Sequence, residues 1–252
     1  MTDPLTVPPA RDPLVLIEDV DLATAQLLAT ARTIDDVGAS SLLPDWSRGH
    51  VLTHIARNAD SMVNLLTWAR TGVETPQYAP GRRDADIEAG APRTVDEQIA
   101  DLESSVERFA AAVAELPTEA WAAEIRYRSG RAAPAATVVW TRLSEVEIHH
   151  ADLGAGYGWR DWPTAFAARL VRQVVHNTNG REGTPHLLLR APELGRDVAL
   201  GVPGTNPQPS TDPAVAVIGS AAAIAAWLTG RSSGADLTLD PPGRLPAMGA
   251  WG

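Results

Sequence analysis

The chain has 252 residues, 44% of them hydrophobic, so it can bury a core without covalent staples and is long enough for two domains. A formal net charge of −10, with no stripe of Lys and Arg, argues against a nucleic-acid partner, because a phosphate backbone would be repelled. The absence of cysteine excludes a disulfide framework, a thiolate metal site and a protein thiol nucleophile, so any sulfur chemistry needs an external thiol.

The start, Met1-Thr-Asp-Pro-Leu-Thr-Val-Pro-Pro, is polar and Pro-rich and lacks a basic segment followed by an apolar one, which reads as a cytoplasmic protein. The most apolar stretch, 214–228, contains Gly219 and Ser220 and falls short of the roughly 20 residues a membrane span needs.

Four helices are expected in the first part. Apolar periodicity predicts the first over 14–34, with Leu22, Ala25, Gln26 and Ala29 on one face. The second begins after Pro44-Asp-Trp-Ser47, where Ser47 or Asp45 can accept from orphan amides, and runs to Arg70 before Gly72 closes it. Val51, Ile55, Met62, Leu65 and Leu66 form its apolar stripe. The polar, Pro- and Gly-rich stretch 75–92 is too long for a tight helical hairpin and reads as a crossover or a cleft wall. Thr94-Val-Asp-Glu97 is a capping box that opens a third helix ending near Pro117. A fourth starts near Ala135, after Pro134, and ends at Gly154 or Gly156. Four such helices predict a bundle, the architecture in which facing helices hold metals in the core.

The pattern changes near 159–163. A helix is expected over 165–177, then strands at 186–190, 198–202, 214–218 and 236–239, separated by Pro and Gly clusters. Ser220 caps a helix over 221–228 that stops at Gly230, and the Pro-rich tail after Pro241 is expected to lie along the surface. The expected organisation is a four-helix bundle domain, 1–160, followed by a small α+β domain, 161–252.

The sharpest chemical signal is His54 on the second helix together with Glu145 and His149 on the fourth. Glu145 and His149 are four apart, which puts both side chains on one face, about 6 Å apart along the axis, where one ion can bridge them. His54 lies in angle beside Val51, Met62 and Leu65 and points inward, so it can complete the two-imidazole, one-carboxylate set of an open catalytic zinc. The same spacing also suits a helical Glu145–His149 salt bridge beside a core histidine, and spacing alone leaves both readings open. His150 and Asp152 read as packing residues or as groups that orient a ligand imidazole. His50, His176 and His186 read as surface or packing residues, and Trp46 as a residue beside a cleft. Gly154-Ala-Gly156-Tyr-Gly158 follows a helix instead of a strand, so it is no dinucleotide loop.

Pro44-Asp-Trp46-Ser-Arg-Gly-His-Val-Leu-Thr-His54-Ile-Ala-Arg-Asn-Ala-Asp60 and Trp140-Thr-Arg-Leu-Ser-Glu145-Val-Glu-Ile-His149-His-Ala-Asp-Leu153 together resemble the mycothiol-dependent maleylpyruvate isomerase family, among the DinB-like metal-binding bundles. Ala226-Trp-Leu-Thr-Gly230-Arg231 and Gly243-Arg-Leu-Pro-Ala-Met-Gly-Ala-Trp251 look like that family's C-terminal domain. The resemblance implies zinc, or another divalent ion, on His54, Glu145 and His149. It also implies mycothiol as the thiol cofactor, and a catalytic or substrate-binding arginine that maps to Arg231, with Arg244 as the next candidate. The implied activity is cis–trans isomerisation of maleylpyruvate to fumarylpyruvate in aromatic catabolism. The alternatives are a metal-dependent mycothiol S-transferase acting on other electrophiles and a non-catalytic metal-binding regulatory module.

Overall fold

The computed structural model describes residues 13–201 and 215–248, which group by their contacts into two compact units with a boundary between Gly158 and Trp159. The expected fold class, an α bundle followed by an α+β region, is what the structure has.

In the first unit α1 (Pro13–Ala31), α2 (Arg48–Thr71), α4 (Val95–Ala114) and α5 (Thr137–Asp152) correspond to the four expected helices. The shorter α3 (Arg82–Gly90) precedes α4. α2 is the central helix and packs against α4 and α5, while α1 packs against α5. Its ends are fixed by local chemistry. Ser47, not Asp45, is the N-cap: its hydroxyl accepts from the His50 amide, and His50 Nδ1 accepts in return from the Ser47 amide. At the other end Gly72 adopts the left-handed conformation, φ 70°, and donates to the Trp68 carbonyl. Thr94 and Glu97 form the expected capping box of α4.

Two elements differ from the expectation. The stretch 75–92 is no plain crossover, because α3 occupies its second half and is pinned by Ile87, which is buried. Gly49 and Gly90 allow this region its close approach to α2. A Cβ on Gly49 would lie 2.1 Å from the Ala91 carbonyl oxygen, and one on Gly90 would meet the Thr53 side chain. The buried Gln98 ties the same junction by donating to the Gly90 carbonyl and accepting from the Thr53 hydroxyl. The second unexpected element is a hairpin of β1 (Glu124–Arg126) and β2 (Ala132–Pro134), which buries Ile125 and Ala133.

In the second unit α6 (Thr164–Thr178) precedes a four-stranded sheet of β3 (Leu187–Arg190), β4 (Val198–Leu200), β5 (Val215–Ile218) and β6 (Thr238–Asp240), in the order β4-β3-β5-β6. β3 and β5 are parallel and the other pairs antiparallel. α7 (Ala221–Leu228), capped by the Ser220 hydroxyl, packs on α6. Each expected strand is present within two residues of its expected bounds, although Val202 and Ala214 lie outside the described residues. The described part of the tail, 241–248, forms neither helix nor strand, and Trp251 lies outside the described residues. No helix among the described residues is long and apolar enough to cross a membrane.

Candidate metal centre

α2 and α5 bring His54, Glu145 and His149 together, as the helical spacing anticipates. One ligand-type atom from each lies within 4.8 Å of the other two. Glu145 Oε2 is 3.0 Å from His54 Nε2 and 3.4 Å from His149 Nε2, and the two imidazole rings stand at 90° with centroids 4.6 Å apart. Bonds of about 2.0–2.2 Å to one tetrahedral ion place two donors about 3.4 Å apart, so these separations match a shared metal. The side chains are 5% (His54), 15% (His149) and 28% (Glu145) exposed, so the carboxylate retains access to solvent.

The groups behind the triad orient it. His149 Nδ1 donates to the buried Asp152 carboxylate at 2.9 Å, which turns Nε2 toward Glu145. A metal-ligating histidine is held in the same way by a carboxylate on its far nitrogen. His54 Nδ1 is buried with no hydrogen-bond partner, so its Nε2–H donates to Glu145 and its second nitrogen stays unprotonated. Trp46 meets the His54 ring edge-on at 5.5 Å and stacks on His50, so it lies beside the triad. The loop carrying it is fastened to the end of α5: Leu42 N–H donates to the Asp152 carbonyl, and the Arg48 guanidinium donates to the carbonyls of Leu153 and Gly154.

The electrostatics fit a cation. Burial pushes the Glu145 carboxyl upward, but hydrogen bonds from His149 and His54 override it and hold the group well below the usual carboxylate range. For His149, burial works downward and is overcome by the bonds to Asp152 and Glu145, which lift it to about 9. Burial, reinforced by the neighbouring His149, lowers His54 and leaves it neutral. The site therefore sets two carboxylates, Glu145 and Asp152, against a single imidazolium, His149, whose extra proton gives its positive charge while His54 stays neutral. A divalent ion would displace that proton and supply its charge. Two imidazoles and one carboxylate, with an unpartnered buried ring nitrogen, are a donor set that fits zinc or a similar ion.

Several neighbours are not visible in the sequence pattern. Gln77 donates to the Ser61 hydroxyl and accepts at its backbone from Asn64, which lays the segment before α3 along α2. Tyr78 then comes close enough for the Glu145 charge to act on it. Burial and Glu145 raise its phenol, against the Ser61 hydroxyl and Arg83 guanidinium beside it, so it remains a hydrogen-bond donor. Arg142, one turn before Glu145, is fully buried. His150 is a packing residue, bonded to the Thr30 hydroxyl and stacked on Tyr157. His176 and His186 are exposed, as expected, and His50 serves the α2 cap. Arg231, in the other unit, follows α7; its N–H donates to the Ala226 carbonyl and its Nη1 to the Thr229 carbonyl, both at 2.7 Å.

Fold and site thus define a helical bundle with a cluster of two imidazoles and one carboxylate, which could hold a metal, between facing helices. The family model described as "Mycothiol maleylpyruvate isomerase N-terminal domain" matches residues 20–154. A crystal structure of the mycothiol-dependent maleylpyruvate isomerase is similar over 100% of both chains, with a TM-score of 0.84 and 31% sequence identity. A histidine-to-alanine mutant of that enzyme gives a TM-score of 0.83 and 30% identity, again over 100% of both chains. Comparison with curated proteins gave no match. The chain belongs to the mycothiol-dependent maleylpyruvate isomerase family.

The triad makes the metal-free protein pH-sensitive in a defined direction. His149 has a folded value above its ordinary 6.5, so its contribution to stability is complete below 6.5 and lost as pH rises through about 9. Glu145 has a depressed value, so its contribution is complete above its ordinary 4.5 and lost as pH falls through the folded value. The melting temperature of metal-free protein should therefore fall between pH 6.5 and 9.5, and the fall should be shallower in Glu145→Gln. Thermal scans across that range check it, and a flat wild-type profile contradicts it.

Proposed function

We propose that the chain is a divalent-metal- and mycothiol-dependent isomerase that converts maleylpyruvate to fumarylpyruvate. The observation that carries this reading is the oriented His54–Glu145–His149 cluster in a chain that belongs to the isomerase family over its whole length. Isomerisation of this type needs a nucleophile that adds reversibly to the cis double bond, so that rotation occurs about a single bond before elimination. With no cysteine in the chain, the nucleophile comes from a small thiol. A zinc ion on the triad would supply the positive charge that keeps such a thiol ionised near neutral pH.

The protein's own groups do the remaining work. Asp152 keeps His149 in the tautomer that presents Nε2 to the site. Trp46 packs against the His54 ring and limits its rotation. Arg231 is assigned to a substrate carboxylate, because a guanidinium grips a carboxylate with two parallel bonds that an ammonium cannot reproduce. Tyr78, held protonated beside Glu145, can donate to an oxygen of the substrate as negative charge develops on it.

The reading is tested by assaying purified protein with maleylpyruvate, with and without mycothiol, alongside metal analysis. Turnover is expected only with thiol and metal together, and Glu145→Ala should lose metal and activity in parallel while keeping its helical circular dichroism. Undiminished turnover in thiol-free buffer, or full metal content in the variant, overturns the proposal. Arg231→Lys should retain metal and melting temperature and lose about tenfold or more in kcat/KM, the scale of one charge-assisted bond. Wild-type kinetics in that variant return Arg231 to a structural role at the end of α7.

A further inference from the structure

Arg142 is only 1% exposed, and its guanidinium bridges two helices. Nη1 donates to the Ile55 carbonyl at 2.8 Å and to Asn58 Oδ1 at 3.0 Å, and Nη2 is buried without a hydrogen-bond partner. Burial lowers its pKa to about 10, with Glu145, Tyr78 and Asp60 acting at longer range to hold the charge, so the group is cationic at neutral pH. A buried charge with an unmatched donor is a poor way to stabilise a helix pair, since an apolar side chain of similar volume commonly does as well or better.

The place of the bridge supplies another reason for it. Ile55 directly follows His54, and Asn58 lies one turn beyond it on the same face of α2. On α5, Arg142 lies three residues before Glu145, on Glu145's face. One nitrogen therefore joins the turn that presents the first imidazole to the turn that presents the carboxylate. Sliding or rotating α2 against α5 would separate the 3.0 Å His54–Glu145 pair, and this movement also breaks both Arg142 bonds.

We propose that Arg142 is a positioning residue, whose paired bonds to Ile55 and Asn58 set the register of α2 on α5 and hold His54 and Glu145 at the separation a single divalent ion needs. The inference rests on the triad's being a metal site. Its charge is secondary in this role: a lysine ammonium, which can donate to both acceptors from one nitrogen, should substitute, and a methionine should not.

The experiment titrates cobalt(II) into metal-free full-length wild type, Arg142→Met, Arg142→Lys and Asn58→Ala, recording affinity, the visible d–d spectrum and the metal-free melting temperature. Wild type is expected to take up one ion per chain; if it takes up none, the metal reading itself fails. Given wild-type uptake, Arg142→Met should bind at least about tenfold more weakly, the usual cost of losing a group that supports a ligand, with an altered spectrum and a melting temperature within a few degrees. Arg142→Lys should recover most of the affinity and the wild-type spectrum. Wild-type affinity and spectrum in Arg142→Met overturn the inference. So does a loss of affinity matched by a fall in metal-free melting temperature that lysine does not restore. Should Arg142→Met fail to fold, Asn58→Ala decides: weaker binding with a changed spectrum supports positioning, and unchanged binding overturns it.

Discussion

A carboxylate held between two imidazoles is the constraint on which the rest of the bundle depends. Glu145 keeps its charge although protein surrounds most of it, and an ion so placed must be matched by positive charge at short range. In the metal-free protein the match is a proton on His149, kept there by Glu145 and by Asp152 behind it. The arrangement has one negative charge too many for a neutral core and two nitrogens facing one oxygen. A divalent ion would resolve both features at once, because His54, Glu145 and His149 could hold it and its charge would replace that of the proton.

The surrounding structure can be understood as support for that cluster. Helix α2 is fixed at its start by the Ser47–His50 cap, along its length by α4 and α5, and beside His54 by the Arg142 bridge. Arg48 and Leu42 fasten the Trp46 loop to the residues immediately after His149. Contacts remote in sequence therefore converge on the turns that carry His54 and His149. Positions defined by several independent hydrogen bonds and a packed aromatic ring leave the imidazoles few alternative rotamers, a form of preorganisation that metal binding benefits from.

Much of this was legible in the sequence, and the reasons are specific. Long helices announce themselves by period, although the face expected for α1, Leu22, Ala25, Gln26 and Ala29, is exposed and α1 instead buries Leu16, Val20, Ala23, Leu27 and Ala31. Caps such as Ser47, Thr94 and Ser220 act through bonds only three residues long, so local sequence decides them. The pair Glu145 and His149 is likewise a within-helix relation, and His54 joins it through its inward angle on α2; the family resemblance was needed only to favour a metal site over a salt bridge beside a core histidine. What escaped was short or non-local. Helix α3 has a single large buried apolar residue, Ile87, in a polar segment, and three-residue strands such as β1 and β2 are too brief to show alternation. Arg142 escaped because a charged residue on a helix ordinarily faces water. The available clue was its spacing, four after Val138 and three before Glu145, which places it on the inward stripe. Tyr78 and Arg83 lie near the site on a segment that the Gln77–Ser61 bond helps to fasten to α2, a contact no periodicity encodes.

The claim at the centre of this account is that His54, Glu145 and His149 hold one divalent ion with a position left open for a thiol. X-ray absorption at the zinc edge, on zinc-loaded protein before and after addition of mycothiol, tests it most directly. The account predicts a nitrogen and oxygen shell from two imidazoles and one carboxylate, joined on thiol addition by a single sulfur at about 2.3 Å. A zinc environment without imidazole scattering, or one that acquires no sulfur with mycothiol present in excess, would contradict it.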